Sequence, residues 1–259
     1  MDNIKTDEEI EIMRENALLV SRTLAEVAKH VRQGVSTLEL DSVAEQFIRD
    51  NGAEPGFLGY DGFPNTLCIS VNSVVVHGIP SDYCLREGDI VSVDCGTRMK
   101  GFYGDSAYTF AVGRISPEAE MLLKETKESL YKGIAQAVQG NRVGDISNAV
   151  QSHVERLGYS VVREMVGHSI GRKMHERPDV PNYGRRGQGP KLLSGMVICI
   201  EPMINMGRKE IYCDRDGWTV RTVDGSLSAH YELTVAVGRN KADVLSTFKF
   251  VEEVLNNRN

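Results

Sequence analysis

The chain lacks any apolar stretch approaching 18 residues, which excludes a hydrophobic helix spanning a membrane. It also lacks runs of five or six like charges, and 30 Lys and Arg against 36 Asp and Glu leave a net charge of −6. The basic patch that marks nucleic-acid binders is missing, so no sequence-specific nucleic-acid partner is expected. Cysteine is scarce: Cys68, Cys84, Cys95, Cys199 and Cys213 are widely spaced and contain no CxxC pair. That argues against both a disulfide framework and a structural zinc finger. The first residues, with Asp2, Glu8, Glu9 and Glu11, show none of the basic-then-apolar pattern of a signal peptide. A cytoplasmic protein with reduced thiols is expected.

What is present is ordinary globular composition, 41% apolar and 25% charged over 259 residues, enough to bury a sizeable core. Thr6 with Glu9, and Ser36 with Glu39, form capping boxes that start two helices. Apolar residues recur at helical spacing from Ile10 to Val31, predicting a first helix up to Gly34 and a second up to Asn51–Gly52. Ser116–Pro117 starts a third helix reaching Gly140. A fourth spans Asp145 to Gly158, and a short one follows Ser246. Between them, Thr66–Val71, Asp89–Arg98, Phe102–Val112, Met196–Ile204, Trp218–Val223 and Ala229–Val237 read as strands. Helix pair, strands, helix pair, strands is an α+β order.

The order is duplicated. Gly88–Asp94 resembles Gly195–Glu201, with an acid at the same distance after the glycine, and Asp105–Gly113 resembles Glu232–Gly238. The acid-to-glycine distances are even in both later segments, so the acids keep one strand parity. The expectation is a single domain over residues 1–259, with related halves of about 1–140 and 141–259.

Acids inside apolar strands are costly to bury without compensating charge. Asp94, Asp105, Glu201 and Glu232 occupy such positions. A turn near Met99–Gly101 would set Asp94 nearly opposite Asp105, where one carboxyl stays protonated unless a cation lies between them. Four such acids at duplicated positions point to one bound divalent cation or a pair of them. Of the histidines, His30 and His153 fall in predicted helices as surface or packing residues. His230, beside a strand acid, stays open. His77 ends an apolar run at a Gly/Pro turn, and His168 and His175 lie in a glycine-punctuated segment. His175–Asp179 fails the HExxH zinc motif, because Pro178 breaks a helix and position 179 is Asp. Gly167–Gly171 matches the GxSxG nucleophile elbow around Ser169, but no strand–helix alternation surrounds it.

In order, His77-Gly-Ile-Pro, Val93-Asp-Cys-Gly, Gly104-Asp-Ser, Gly167-His-Ser-Ile-Gly with His175-Glu-Arg-Pro, Ile200-Glu-Pro-Met and Tyr231-Glu-Leu-Thr resemble the methionine aminopeptidases over nearly the whole chain. The short span from His175 to Glu201 leaves no room for the helical insertion of type II members, and is similar to the short type I form of bacteria and organelles. The resemblance implies the pita-bread fold, two pseudo-symmetric halves with a curved antiparallel sheet flanked by helices. It implies metal ligands at Asp94, Asp105, His168, Glu201 and Glu232, holding two divalent ions (Co, Mn, Fe or Zn) that activate a bridging water. It makes His77, His175 and Glu201 catalytic, with Glu201 taking the water's proton and the two histidines contacting the scissile amide. Tyr60, Phe63, Cys68, Met174 and Trp218 fall at the places of the family's methionine pocket. The implied activity is release of N-terminal methionine from peptides and nascent proteins when the second residue is small, by a monomer with transient ribosome contact and no membrane association. A related metallopeptidase of other specificity, or a non-enzymatic binding homologue, is the alternative. Ser169, Leu233, Ser73, Met174 and Phe57 depart from residues common in the family. None of them is an implied metal ligand.

Overall fold

The capping residues start their helices where the sequence places them. In the computed structural model, which describes residues 4–257, Thr6 and Ser36 close capping boxes on α1 (Asp7–Ala28) and α2 (Thr37–Asp50). Asp2 and the outermost ends of the expected domain lie outside the described residues. Ser116 caps α3 (Pro117–Ile134), followed by α4 (Val143–Glu155) and α5 (Lys249–Asn256). Two helices end early through backbone partners distant in sequence, and a third starts early through a local cap. α1 ends before Gly34, whose N–H donates to the Leu85 carbonyl. α3 stops well before Gly140, because Gln139 and Gly140 donate their N–H groups to Gly238 and Leu192. α4 begins at Val143, where Asp145 accepts from the Arg142 N–H at 2.8 Å.

The strands that frame the site are β1 (Leu67–Val71), β2 (Val74–Val76), β3 (Ile90–Met99), β4 (Phe102–Ala111), β5 (Gly167–Ser169), β6 (Glu176–Val180), β7 (Val197–Ile200), β8 (Met203–Asn205), β9 (Val220–Thr222), β10 (Ser228–His230) and β11 (Leu233–Ala236). The described strand pairings are antiparallel. One large cluster joins the inner faces of the helices (Val20, Leu24, Leu40, Leu122, Val150) to Val91, Val93, Phe110, Ile198 and Val235 of the sheets. Each such fully buried Val, Leu or Phe contributes about 1.5–3 kcal/mol. No described helix is long and apolar enough to cross a membrane.

Two antiparallel ladders position the acids. In β3–β4, Lys100 (φ 52°) and Gly101 (φ 80°) occupy left-handed positions between the strands, the signature of a two-residue type I′ hairpin. That centres the turn one residue later than expected. Asp94 therefore pairs with Ala107 and Asp105 with Gly96, and the two acids are diagonal neighbours rather than opposite. Three expected strands are also shorter or broken. Met196–Ile204 divides into β7 and β8 at Glu201–Pro202, since proline has no N–H to donate. Ala229–Val237 divides into β10 and β11 at Tyr231–Glu232. The strand expected from Trp218 begins at Val220, because Asp216 accepts from the Trp218 and Thr219 N–H groups and holds them in a turn.

Pairing keeps one register across this gap. Ile200 pairs with Leu233 and Met203 with His230, which leaves Glu201 facing Glu232. The ladders join where Glu232 N–H donates to the Ala107 carbonyl at 2.9 Å. Ser106 Oγ donates to the Glu232 carbonyl at 2.6 Å, and Thr234 Oγ1 to the Asp105 carbonyl at 2.7 Å.

Candidate metal centre and cavity

Side chains alternate across a strand, so the acid parity seen in the sequence becomes one shared face at the junction of the ladders. A cavity of about 300 Å³ opens over that face and is lined by Asp94, Asp105, His168, Glu201 and Glu232. A larger surface groove of about 660 Å³, between α4 and β6, holds none of these five residues. The chemistry therefore belongs to the smaller cavity.

His168 is buried on β5, and its Nδ1 lies 3.1 Å from the Ser169 carbonyl. A carbonyl only accepts, so Nδ1 carries the hydrogen and Nε2 presents its lone pair to the acids. Nε2 stands 3.7 Å from Asp105 Oδ2 and 3.6 Å from Glu201 Oε1. Burial holds the imidazole neutral, its pKa lowered to about 3. The acids shift the other way. Burial pushes Asp94 up to about 6. Asp105, Glu201 and Glu232 are raised well above their usual range by burial first and by the neighbouring carboxylates second.

Asp94 Oδ1, Asp105 Oδ1 and Glu232 Oε1 are buried without a hydrogen-bond partner. Orphaned acceptors of this kind are costly, and here they converge on a space faced by a neutral imidazole nitrogen. Donor atoms of Asp105, His168, Cys199 and Glu232 lie within 4.8 Å of one another. An oxygen-rich set with one imidazole fits a divalent cation.

Cys199 was not singled out in the sequence as a site residue. Its position two residues before Glu201 on an alternating strand was the available signal. Burial pushes its thiol pKa well above the usual value, and Sγ faces Thr234 Oγ1 at 3.5 Å. His230, left open in the sequence, also belongs here. It is 1% exposed, and its Nε2 lies 3.6 Å from Glu201 Oε2.

His77 sits at the end of β2 in the left-handed region (φ 57°) and lines the cavity. Burial lowers its pKa to about 4. Gly78 is required next to it, because a Cβ there would collide with the backbone of Ile69. His175 stands at the mouth, its ring 4.4 Å from that of His168 and its Nδ1 2.8 Å from the Tyr60 hydroxyl. Phe63 packs edge-on to Trp218 at 5.2 Å, and Trp218 faces His77 at 6.3 Å. Cys68 pairs with Asp94 across β1–β3 and lines the same wall.

Met174 differs from the expectation for the pocket. It is fully buried behind that wall, against Phe57, Gly56 and Gly96, and does not line the cavity. Met165, Met203, Asp61 and Glu164 line it without having been singled out. Met203 shares the parity of Glu201, whereas the others sit in irregular segments that carry no periodic signal. Ser169 is 2% exposed, sits in a strand and donates to the Pro178 carbonyl at 3.0 Å, an arrangement unlike a nucleophile elbow.

Residues 11–239 match metallopeptidase family M24. The chain is 53% identical over 246 residues to the methionine aminopeptidase of Clostridium perfringens, covering 95% of this chain and 99% of that protein. It is 48% identical to methionine aminopeptidase 1 of Bacillus subtilis, covering 93% and 98%. Its structure superposes on the crystal structure of the methionine aminopeptidase from Rickettsia prowazekii with a TM-score of 0.93 at 40% identity, covering 94% and 99% of the two chains.

Proposed function

The chain belongs to metallopeptidase family M24 and, within it, to the methionine aminopeptidases, and from that premise we propose that it releases N-terminal methionine from peptides and nascent proteins whose second residue is small. The observation that carries the reading is the convergence of four carboxylates, three with buried and partnerless oxygens, on the free nitrogen of a neutral His168. Divalent metal use follows from the family. In this reading Asp94, Asp105, His168, Glu201 and Glu232 hold two ions, drawn from Co, Mn, Fe or Zn, because four carboxylates offset two dications. The chemistry supplied with metal bound is polarisation of the scissile carbonyl and a water acidified for attack.

The remaining steps fall to side chains. Glu201 takes the water's proton. When Tyr60 O–H donates to Nδ1 of His175, the hydrogen of His175 resides on Nε2, free to donate toward the scissile amide. His77, kept neutral by burial, offers a second donor for charge developing on the amide oxygen. Tyr60, Phe63, Cys68 and Trp218 form an aromatic and sulfur wall suited to a flexible thioether. Met174 supports that wall through Phe57. The same reading makes the chain a cytoplasmic monomer of one domain, with related halves of about 1–140 and 141–259, meeting nascent N-termini in transient contact with ribosomes. A peptidase of other specificity and a non-enzymatic homologue are less supported.

The test is incubation of Met-Ala-Ser with the purified protein, with chelator and after Mn or Co is restored. Methionine release that disappears with chelator and returns with metal is expected. No release under any metal would overturn the reading.

A further inference from the structure

His230 is a buried imidazole that the reaction as described leaves unused. Its backbone is clamped on both sides by one residue of the neighbouring ladder. The His230 N–H donates to Thr109 Oγ1 at 3.0 Å, and Thr109 Oγ1 donates to the His230 carbonyl at 2.7 Å. Ser92 Oγ stands 2.8 Å from Thr109 Oγ1 and holds that hydroxyl in place. With the backbone fixed, strand parity turns the ring to the face that carries Glu232 two residues later and, across the ladder, Glu201. Nε2 has no hydrogen-bond partner, although burying such a group unpaired is costly.

Glu201 Oε2 lies 3.6 Å from Nε2, just beyond hydrogen-bond length, while Glu201 Oε1 faces His168 Nε2 at 3.6 Å. The glutamate backbone is held as well, its carbonyl accepting from Asn182 Nδ2 at 2.9 Å. A small rotation of the carboxylate closes one contact without disturbing either strand. We propose that His230 is a positioning residue for Glu201, its Nε2–H donating to Oε2 so that Oε1 is presented to the His168 side of the centre.

The inference rests on the metallopeptidase reading and is tested on the whole protein with two variants of similar side-chain length, H230Q, which keeps an N–H donor, and H230M, which does not. Partners of this kind around metal ligands typically change metal affinity or activity about 10- to 100-fold. Expected for H230M is a loss of that size in kcat for Met-Ala-Ser, with KM changed less than about threefold, and a weaker Co(II) dissociation constant measured by titrating the metal-free protein. H230Q should regain most of both and keep the wild-type Co(II) visible spectrum.

H230M with wild-type kcat and Co(II) affinity overturns the proposal. So does an altered Co(II) spectrum in H230Q, which would make His230 a ligand rather than a donor. If H230M does not fold, H230Q alone decides by the same spectrum and affinity. A wild-type protein releasing no methionine under any metal fails the underlying reading instead, and is told apart by that control.

Discussion

The two acid-bearing ladders place their carboxylates differently, although both deliver two to one centre. β3–β4 is an unbroken ten-residue pair with a type I′ turn, and its acids are diagonal, each facing a small residue, Ala107 or Gly96. The pair formed by β7–β8 and β10–β11 is interrupted, and its acids face each other across the interruption. A regular ladder accommodates buried acids when they are offset and given room. Direct opposition coincides with a break at Pro202 and Tyr231, where the ladder's regular pattern is already relaxed.

The largest expected effect tests whether both ladders serve one centre. Asp105→Asn from the regular ladder and Glu232→Gln from the broken one should each reduce methionine release to background while far-ultraviolet circular dichroism stays unchanged. An active variant on either side would reduce that ladder to scaffold.

Next comes pH dependence without metal. The carboxyl of Asp94 is held up to about 6 in the fold against an ordinary 3.8, and its three neighbours are also raised well above their usual range. Raised acids stabilise the fold below their ordinary pKa, and that contribution is lost as pH climbs through the folded value. The buried His77 and His168 act oppositely, and their contribution is complete above 6.5. Above pH 6.5 the histidine contribution no longer changes, so the Tm of the chelated protein should fall as pH rises from there, and excess Mn should flatten the slope. A flat chelated profile would break the account of both ladders as holders of protonated acids.

Smaller effects separate the ladders by packing. Gly96→Ala drives a Cβ into the Phe57 ring and the Met174 methyl, so urea unfolding should show about 1–3 kcal/mol of destabilisation and a raised KM. Pro202→Ala, in the ladder that is already broken, should change stability by less than about 1 kcal/mol. Reversal of that order would mean that the interruption, not the regular strand, is the tightly specified part. The smallest change is Glu15→Gln, which removes the exposed ion pair with Lys100 at the hairpin turn and should cost no more than about 1 kcal/mol in the same measurement.

Much of this was legible residue by residue. Thr6, Ser36 and Ser116 announce helices because a cap is a contact between residues three apart. Asp94, Asp105, Glu201 and Glu232 stand out because strand parity and apolar neighbours are local properties, whereas His168, in a glycine-punctuated segment, joins them only through the family resemblance. Met196–Ile204 reads as one strand by composition, and its break at Pro202 follows from a proline that has no N–H for the ladder. Met174 was placed by resemblance at the pocket wall, yet its burial behind Phe57 depends on the bareness of Gly96 on another strand. His230 looked ambiguous because its role is defined by Glu201 and Thr109, both distant in the chain.

The amino-acid order by itself therefore determined the α+β class, the three capped helix starts and the set of four carboxylates, since these follow from spacing along the chain. Only the tertiary structure decided the register that offsets Asp94 from Asp105, the opposition of Glu201 and Glu232, and which ring nitrogens face them. Those depend on a turn's handedness and on hydrogen bonds between distant strands. A one-residue shift in a turn changes which residues face each other without changing any local pattern.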